Sequence, residues 1–294
     1  MKKVLISKKI NAFKLIFFIL LFVYSLLFFA MLVWAFLSSL KDHMTFRENI
    51  LGMPDWKWDN YIISLSELKI RITTPEAIKV FKIPALYINS FIYAFGCSIT
   101  SLLAHYLIAY AITFFKYRFG KFLKAFIIVA MAIPIMGSDA SMISLMYDLR
   151  LFDTVFGMIA LKGGFLGMYT LVMISAFKNV PGSLKEAAQI DGASEFCIMF
   201  KIIFPSTLNI LGVIFLLYFV GYWNDYQTPM LYLPSRPTMA YGVYYFNNST
   251  NNSISAVPYK LCGAMFMCIP MLLIYVIFNK KLLAGNMTIG AVKG

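Results

Sequence analysis

Charge is what this sequence of 294 residues has least of: 13% are Asp, Glu, Lys or Arg and 61% are hydrophobic, against roughly 25% and 45–50% in an ordinary soluble domain. So little polar surface excludes a soluble globule. Apolar residues come instead in blocks near the roughly 20 needed to cross about 30 Å of hydrocarbon. Cysteine is scarce. Cys97, Cys262 and Cys268 lie in apolar segments and Cys197 in a segment assigned to the cytoplasm, so four free thiols are expected. Histidine occurs twice, as His43 and His105, and no Cys-x-x-Cys is present; a metal site is not expected. The phosphate-cradling G-x-x-x-x-G-K-[ST] loop is also missing, which excludes a self-sufficient ATPase of that class. Gly163, Gly164 and Gly167 are read as close-packing glycines. A membrane enzyme would need a nucleophile with its base or a metal constellation, and neither occurs.

The apolar blocks predict an all-α polytopic membrane protein with six spans. Residues 15–40 carry no charge, about 39 Å if helical; too long and too aromatic for a signal peptide, they read as an anchor. Further spans are expected at 84–115, 125–138, 155–177, 206–222 and 261–278, with Lys162 snorkelling to the outer interface. The third is short, and must run past Pro134 and Gly137 or be kinked. A C-terminal tail follows at 282–294.

The formal net charge of +13 is a topology signal. With the N-terminus (1–14) inside, the cytoplasmic basics are Lys2, Lys3, Lys8, Lys9 and Lys14; Lys116, Arg118, Lys121 and Lys124; Lys178, Lys185 and Lys201; and Lys280, Lys281 and Lys293. Only Glu186, Asp191 and Glu195 oppose them. The rest of the chain is nearly neutral, so the positive-inside rule puts both termini in the cytoplasm, and nothing is left to suggest nucleic acid. Residues 41–83 and 223–257 become external loops. The aromatics of the first, Trp56, Trp58 and Tyr61, serve either as interfacial anchors or as a docking surface.

The cytoplasmic segment 178–205 holds Pro181-Gly182-Ser183-Leu184-Lys185-Glu186-Ala187-Ala188-Gln189-Ile190-Asp191-Gly192-Ala193-Ser194-Glu195. Ser183 and Glu186 have capping-box spacing and predict a short helix, which Asp191 and Gly192 end. A second helical stretch, 194–204, leads to Pro205. The short helix has little apolar area of its own, and Ala187 with Ala188 offers a flat face to a partner.

Glu186-Ala187-Ala188, then Gly192, then Ile202 and Pro205 at these spacings resemble the EAA motif of binding-protein-dependent ABC importer permeases, with Phe204 where leucine is usual. The resemblance extends over almost the whole chain. Asn89-Ser90, Ala109-Tyr110-Ala111, Trp223-Asn224-Asp225 with Pro229, and the ending Gly290-Ala291-Val292-Lys293-Gly294 are similar to the carbohydrate-uptake branch, in particular the second permease subunit of maltose-type importers. The stretch from Val257-Pro258-Tyr259-Lys260 onward is similar to permeases for complex or uronic-acid-containing oligosaccharides. The resemblance implies a type I ABC importer permease in a bacterial cell membrane, a homologous permease as heterodimer partner, two ABC ATPase subunits that bind the ATP and magnesium, an external solute-binding protein and a sugar substrate. It makes the helix carrying Ser183, Glu186, Ala187, Ala188, Asp191, Gly192 and Ala193 the ATPase-coupling helix. The chain itself is expected to bind no cofactor.

Sugars present apolar C–H faces and many hydroxyls, so their path combines aromatic rings with amides and hydroxyls. Asn89, Ser90, Tyr110, Trp223 and Asn224 have that chemistry, although helix–helix hydrogen bonding and interface anchoring explain the same residues. His105 reads as a packing residue. An ion-coupled secondary transporter is the alternative. It would place paired ionisable groups deep in its spans and show internal repeats; no repeat is evident, and Asp139, Asp148, Asp153 and Asp225 cluster near outer ends.

Overall fold

The computed structural model describes residues 12–73, 77–115, 118–133, 137–250 and 254–282. The N-terminal segment up to residue 11, Pro134 and the tail 283–294, including the ending Gly290–Gly294, lie outside them. The described chain is mostly helical and divides into two compact units, residues 1–67 with 247–265, and 68–246 with 266–294.

In the first unit, α1 (Ala12–Ser39) is apolar around its circumference, and its side chains from Phe13 to Met31 are exposed, as suits a helix surrounded by lipid or protein. Its C-terminal carbonyls are capped from a distance. Asn60 Nδ2 donates to Ser39 O and Lys41 O, both at 2.8 Å, and Lys57 N–H donates to Leu40 O at 2.9 Å. Lys41, the first charge after the apolar run, is 1% exposed; its ammonium donates to Asn49 O at 3.0 Å and Ile50 O at 2.9 Å, a cation suited to a helix C-terminus. Helices α2 (His43–Glu48) and α3 (Asp59–Glu67) follow. Asp42 caps α2 through Met44 N–H and pairs with Lys57 at 2.6 Å; the Lys57 hydrogen bond, with the Met44 amide, holds its carboxyl below its usual range.

The second unit begins with an antiparallel hairpin, β1 (Lys69–Thr73) and β2 (Ile78–Lys82), in register Lys69 to Lys82 and Thr73 to Ile78. This hairpin is an addition to the expected all-α fold, within the stretch 41–83 expected as an external loop. Alternating Lys-Ile-Arg-Ile and Ile-Lys-Val-Phe-Lys have the period of a strand. Helix α4 (Ile83–Phe114) starts with Pro84 in its first turn, where a missing N–H costs nothing. It is the central post, packed against α7 (Val155–Leu161), α8 (Met168–Lys178) and α11 (Leu208–Asn224).

Between these stand α5 (Arg118–Ala132), shorter than a span and starting earlier than residue 125, and α6 (Asp139–Asp148). The span expected at 155–177 is broken into α7 and α8 by residues 162–167. Gly163, Gly164 and Gly167 weaken helix there. A Cβ on Gly167 would sit 3.1 Å from His105 Nε2, and one on Gly163 3.1 Å from Ala160 O, so these two are close-packed; Gly164 is in open space. The stretch 223–257 expected as an external loop holds α12 (Gln227–Tyr232) and α13 (Met239–Asn247). Helix α14 (Val257–Leu282) ends the described chain with Pro270 inside it. Among the described residues three helices are long and apolar enough to cross a membrane by length and composition, or up to four if Glu195–Ser206 and α11, bent by 80°, count as one span.

Candidate functional site

The segment after α8 forms two helices joined by one turn. Asn179 and Val180 close α8, and α9 (Gly182–Ile190) starts from Pro181 as N-cap, at φ −58° and ψ 125°. The capping-box expectation is wrong in its geometry: Ser183 lies inside the first helical turn, where its hydroxyl cannot cap, and no side chain caps α9. Proline sets the entry by fixing its own φ.

The exit is as expected. Gly192 has φ +76°; Ala193 N–H donates to Ala188 O at 2.9 Å and Gly192 N–H to Gln189 O at 3.1 Å. That pair of bonds around a left-handed glycine is a Schellman motif. Ser194 then caps α10 (Glu195–Ser206) by accepting from Cys197 N–H at 3.3 Å. Within α10, residues Ile198–Ile203 form a π-helical stretch. The 80° turn into α11 is held by Thr207, 5% exposed, whose N–H and hydroxyl both reach Ile203 O, at 3.1 and 2.8 Å. Pro205 brings no N–H to α10, which frees a carbonyl where the bend needs slack.

Ala187 and Ala188 do not share a face. Ala188 is 7% exposed and packs into a core with Tyr106, Phe177, Ile198 and Leu211, whereas Ala187, Ser183, Glu186 and Asp191 face outward. Leu184 is also exposed, and Ile190 and Phe196 are 86% and 74% exposed. Among the described residues nothing covers these apolar side chains on α9 and at the start of α10.

One ion pair braces the module. Lys185 Nζ reaches Glu195 Oε1 at 3.0 Å, Gln189 Nε2 donates to Oε1 at 3.1 Å, and Tyr110 OH, from α4, donates to Oε2 at 3.0 Å. Lys185 also lies over the rings of Phe115, Phe114 and Tyr110, 5.4 to 5.9 Å from their centroids. Burial works against ionisation of Glu195, but the hydrogen bonds from Lys185, Tyr110 and Gln189 outweigh it and hold the carboxyl below its usual range, so it is charged at neutral pH. Glu195 is 40% exposed although Lys185 is only 12% exposed, and this opening to water limits the pair's energy to about 1 kcal/mol. Glu195 escaped the sequence reading as a brace. The signal was present in its ten-residue spacing from Lys185 across a helix stop.

The five residues proposed for a sugar path do not come together. Tyr110, 2% exposed, belongs to this brace. Asn89 donates to Pro237 O at 3.0 Å and Ser90 accepts from Met239 N–H at 2.6 Å, so both tie α4 to the start of α13. Trp223 is buried and donates to Met267 O at 3.2 Å; Asn224 is exposed and bonds back to Val220 O. His105 is 5% exposed and meets Ser101 O at 2.7 Å, a packing role. Lys162 does not stand alone at an interface. It lies 3.8 Å from Asp225 and is largely shielded from solvent.

Glu195→Ala, which removes the ion pair and the hydrogen bonds from Gln189 and Tyr110 together, is expected to open residues 182–195 to limited proteolysis more than Tyr110→Phe, which removes one bond worth about 1 kcal/mol. The cleavage rate of the purified chain in detergent measures this; equal effects would mean that the carboxylate is not the hub.

Residues 102–283 match the family described as binding-protein-dependent transport system inner membrane component. The chain is 33% identical over 138 residues to the polygalacturonan/rhamnogalacturonan transport system permease protein YtcP of Bacillus subtilis (strain 168), covering 42% of this chain and 48% of that one. It is 27% identical over 213 residues to the galactooligosaccharides transport system permease protein GanQ of the same organism, covering 71% and 74%. Among solved structures it shares the fold of a chain of a bacterial ABC transporter involved in the import of the acidic polysaccharide alginate, with TM-score 0.71, 21% identity, and coverage of 94% and 98%.

Proposed function

Because the chain belongs to the binding-protein-dependent transport system inner membrane components, and so is a multi-pass permease subunit of an ABC importer, we propose that it carries a sugar, an oligosaccharide in particular, across a bacterial cell membrane. The substrates for which its relatives are named support that substrate class. The chain crosses the membrane six times with both termini in the cytoplasm; the lysine and arginine distribution favours this orientation. Spans too short or broken to qualify singly, α5 and α7 with α8, complete the count against neighbouring helices.

The single observation that carries the mechanism is the outward face of α9 joined through Gly192 to a bent, braced connection into α11. Helix α9 is the coupling helix. It seats in one of two ABC ATPase subunits, which bind the ATP and magnesium, and this chain supplies no ATPase chemistry. Closure of those subunits displaces α9, and the core around Ala188 passes the displacement to α4, α8 and α11 as a rigid-body motion. A homologous permease completes the path, and a loaded solute-binding protein docks outside. Asn89, Ser90 and Trp223 shape that path from behind, through the elements they tie down.

The test is ATP hydrolysis by the complex co-expressed with its genomic neighbours, with and without loaded binding protein. Glu186→Lys places a cation on the outward face of α9, far from the core; stimulation is expected to fall about tenfold while the complex still assembles, a loss of the size that one misplaced interface charge produces. Uptake that persists without any ATPase subunit would overturn the reading in favour of an ion-coupled transporter.

A further inference from the structure

Three tyrosines on two helices form a row that the functional reading leaves unused. Tyr169 of α8 meets Tyr218 of α11 edge to face with centroids 4.7 Å apart, and Tyr218 stacks on Tyr222, one turn on, at 5.9 Å and 8°. All three are only partly buried. The hydroxyls are anchored, Tyr218 OH 3.1 Å from His105 Nε2 and Tyr222 OH 2.7 Å from Ser101 Oγ. Rings held this way lose little side-chain freedom when a ligand meets the row.

Lys162 closes one end of the row. Its ammonium stands 5.3 Å over the Tyr222 ring, and its backbone is pinned because Ser101 Oγ donates to Lys162 O at 2.8 Å. The neighbouring acid does not satisfy it. Asp225 Oδ2 accepts from Tyr93 OH at 2.8 Å and Oδ1 from Thr228 N–H at 3.0 Å, leaving Lys162 at 3.8 Å, well beyond the 2.7–2.9 Å of a charge-assisted hydrogen bond. Its other contact, Thr228 Oγ1, is long at 3.4 Å. An ammonium has three donors, and here a full positive charge, 22% exposed, keeps capacity for a second anion.

A ligand matching both features has apolar ring faces for the tyrosines and a carboxylate for the lysine. We propose that Tyr169, Tyr218 and Tyr222 are this chain's contact surface for sugar rings, and that Lys162 selects sugars bearing a carboxylate, the uronate-containing oligosaccharides. The proposal deepens the importer reading and rests on it.

The experiment uses the assembled complex in nanodiscs of phosphatidylcholine, without binding protein, and measures binding of trigalacturonate and maltotriose by calorimetry. Wild type is expected to prefer the uronate about tenfold, the scale of one charge-assisted contact. Lys162→Met should bring that preference to about one, and Tyr218→Leu should weaken both sugars. Lys162→Met with Asp225→Asn, which removes the pair together, guards against a merely structural loss and should behave as the single variant does. An unchanged preference in both lysine variants, or no binding of either sugar to wild type, overturns the proposal. Competition by phosphatidylglycerol would overturn it too, by making the anion a lipid headgroup. Loaded binding protein added to the same nanodiscs separates the two readings. ATPase stimulation without uronate preference defeats only the selectivity, whereas stimulation by no sugar defeats the sugar importer.

Discussion

Gly192→Val is expected to reduce ATP-driven uptake by more than about tenfold while leaving the chain inserted in the membrane. The glycine stands at φ +76°, and a Cβ there would meet nothing within 4 Å, so the substitution creates no clash; its whole effect is torsional. A β-branched residue in the left-handed region is a true outlier, at a cost of roughly 1–2 kcal/mol or more. Helix α9 has nine residues, too few to persist without its ends fixed. Relief of the strain would break the bonds from Ala193 and Gly192 to Ala188 and Gln189, releasing the outward face from the arm that leads to α11. Gly192→Asn, a residue that tolerates this conformation, should retain most of the uptake. Vesicle uptake measured beside basal ATPase activity distinguishes uncoupling from loss of the complex, and wild-type uptake by Gly192→Val would mean that the junction transmits nothing.

Trp223→Ala should give the largest loss of stability, about 3–5 kcal/mol. The indole is 2% exposed, stacks on Phe219 at 5.9 Å and Tyr87 at 6.2 Å, meets Phe91 edge-on at 6.3 Å, and ties α11 to α14 through Met267 O. Removing it leaves a cavity at a junction that cannot close without moving a span. Thermal unfolding in detergent should show the loss, with Trp223→Phe intermediate, since that ring keeps the stacking and gives up the N–H. A stable Trp223→Ala chain that had lost only sugar binding would restore this residue to the transport path.

Much of this architecture was legible in the sequence for a plain reason. Membrane insertion is read from continuous apolarity, so α1 ends where Lys41 first appears, and the helix stop at Gly192 follows from a conformation that glycine adopts freely. What stayed hidden depended on partners distant in sequence. Lys162 looked like a snorkelling charge because its relation to Asp225 spans 63 positions. Ser183 looked like a cap because the spacing to Glu186 fits, yet Pro181 begins the helix two residues sooner. Trp223, Asn89 and Ser90 have the composition of a sugar site, but composition does not distinguish a side chain facing a solute from one fastening two helices. The tyrosine row was invisible because α8 and α11 contribute to it at unrelated positions.

The π-helical stretch Ile198–Ile203 has a consequence for how this chain can vary. Such a stretch accommodates a residue more than an α-helix of equal length would hold, and each residue of an α-helix advances the azimuth by about 100°. Loss of one residue here would tighten the winding and swing the face carrying Ile190 and Phe196 by roughly a quarter turn about the arm. Substitutions along this stretch change only what the arm touches. Insertions and deletions change where it points, so the direction of the arm depends on the length of this stretch more than on the identity of its side chains.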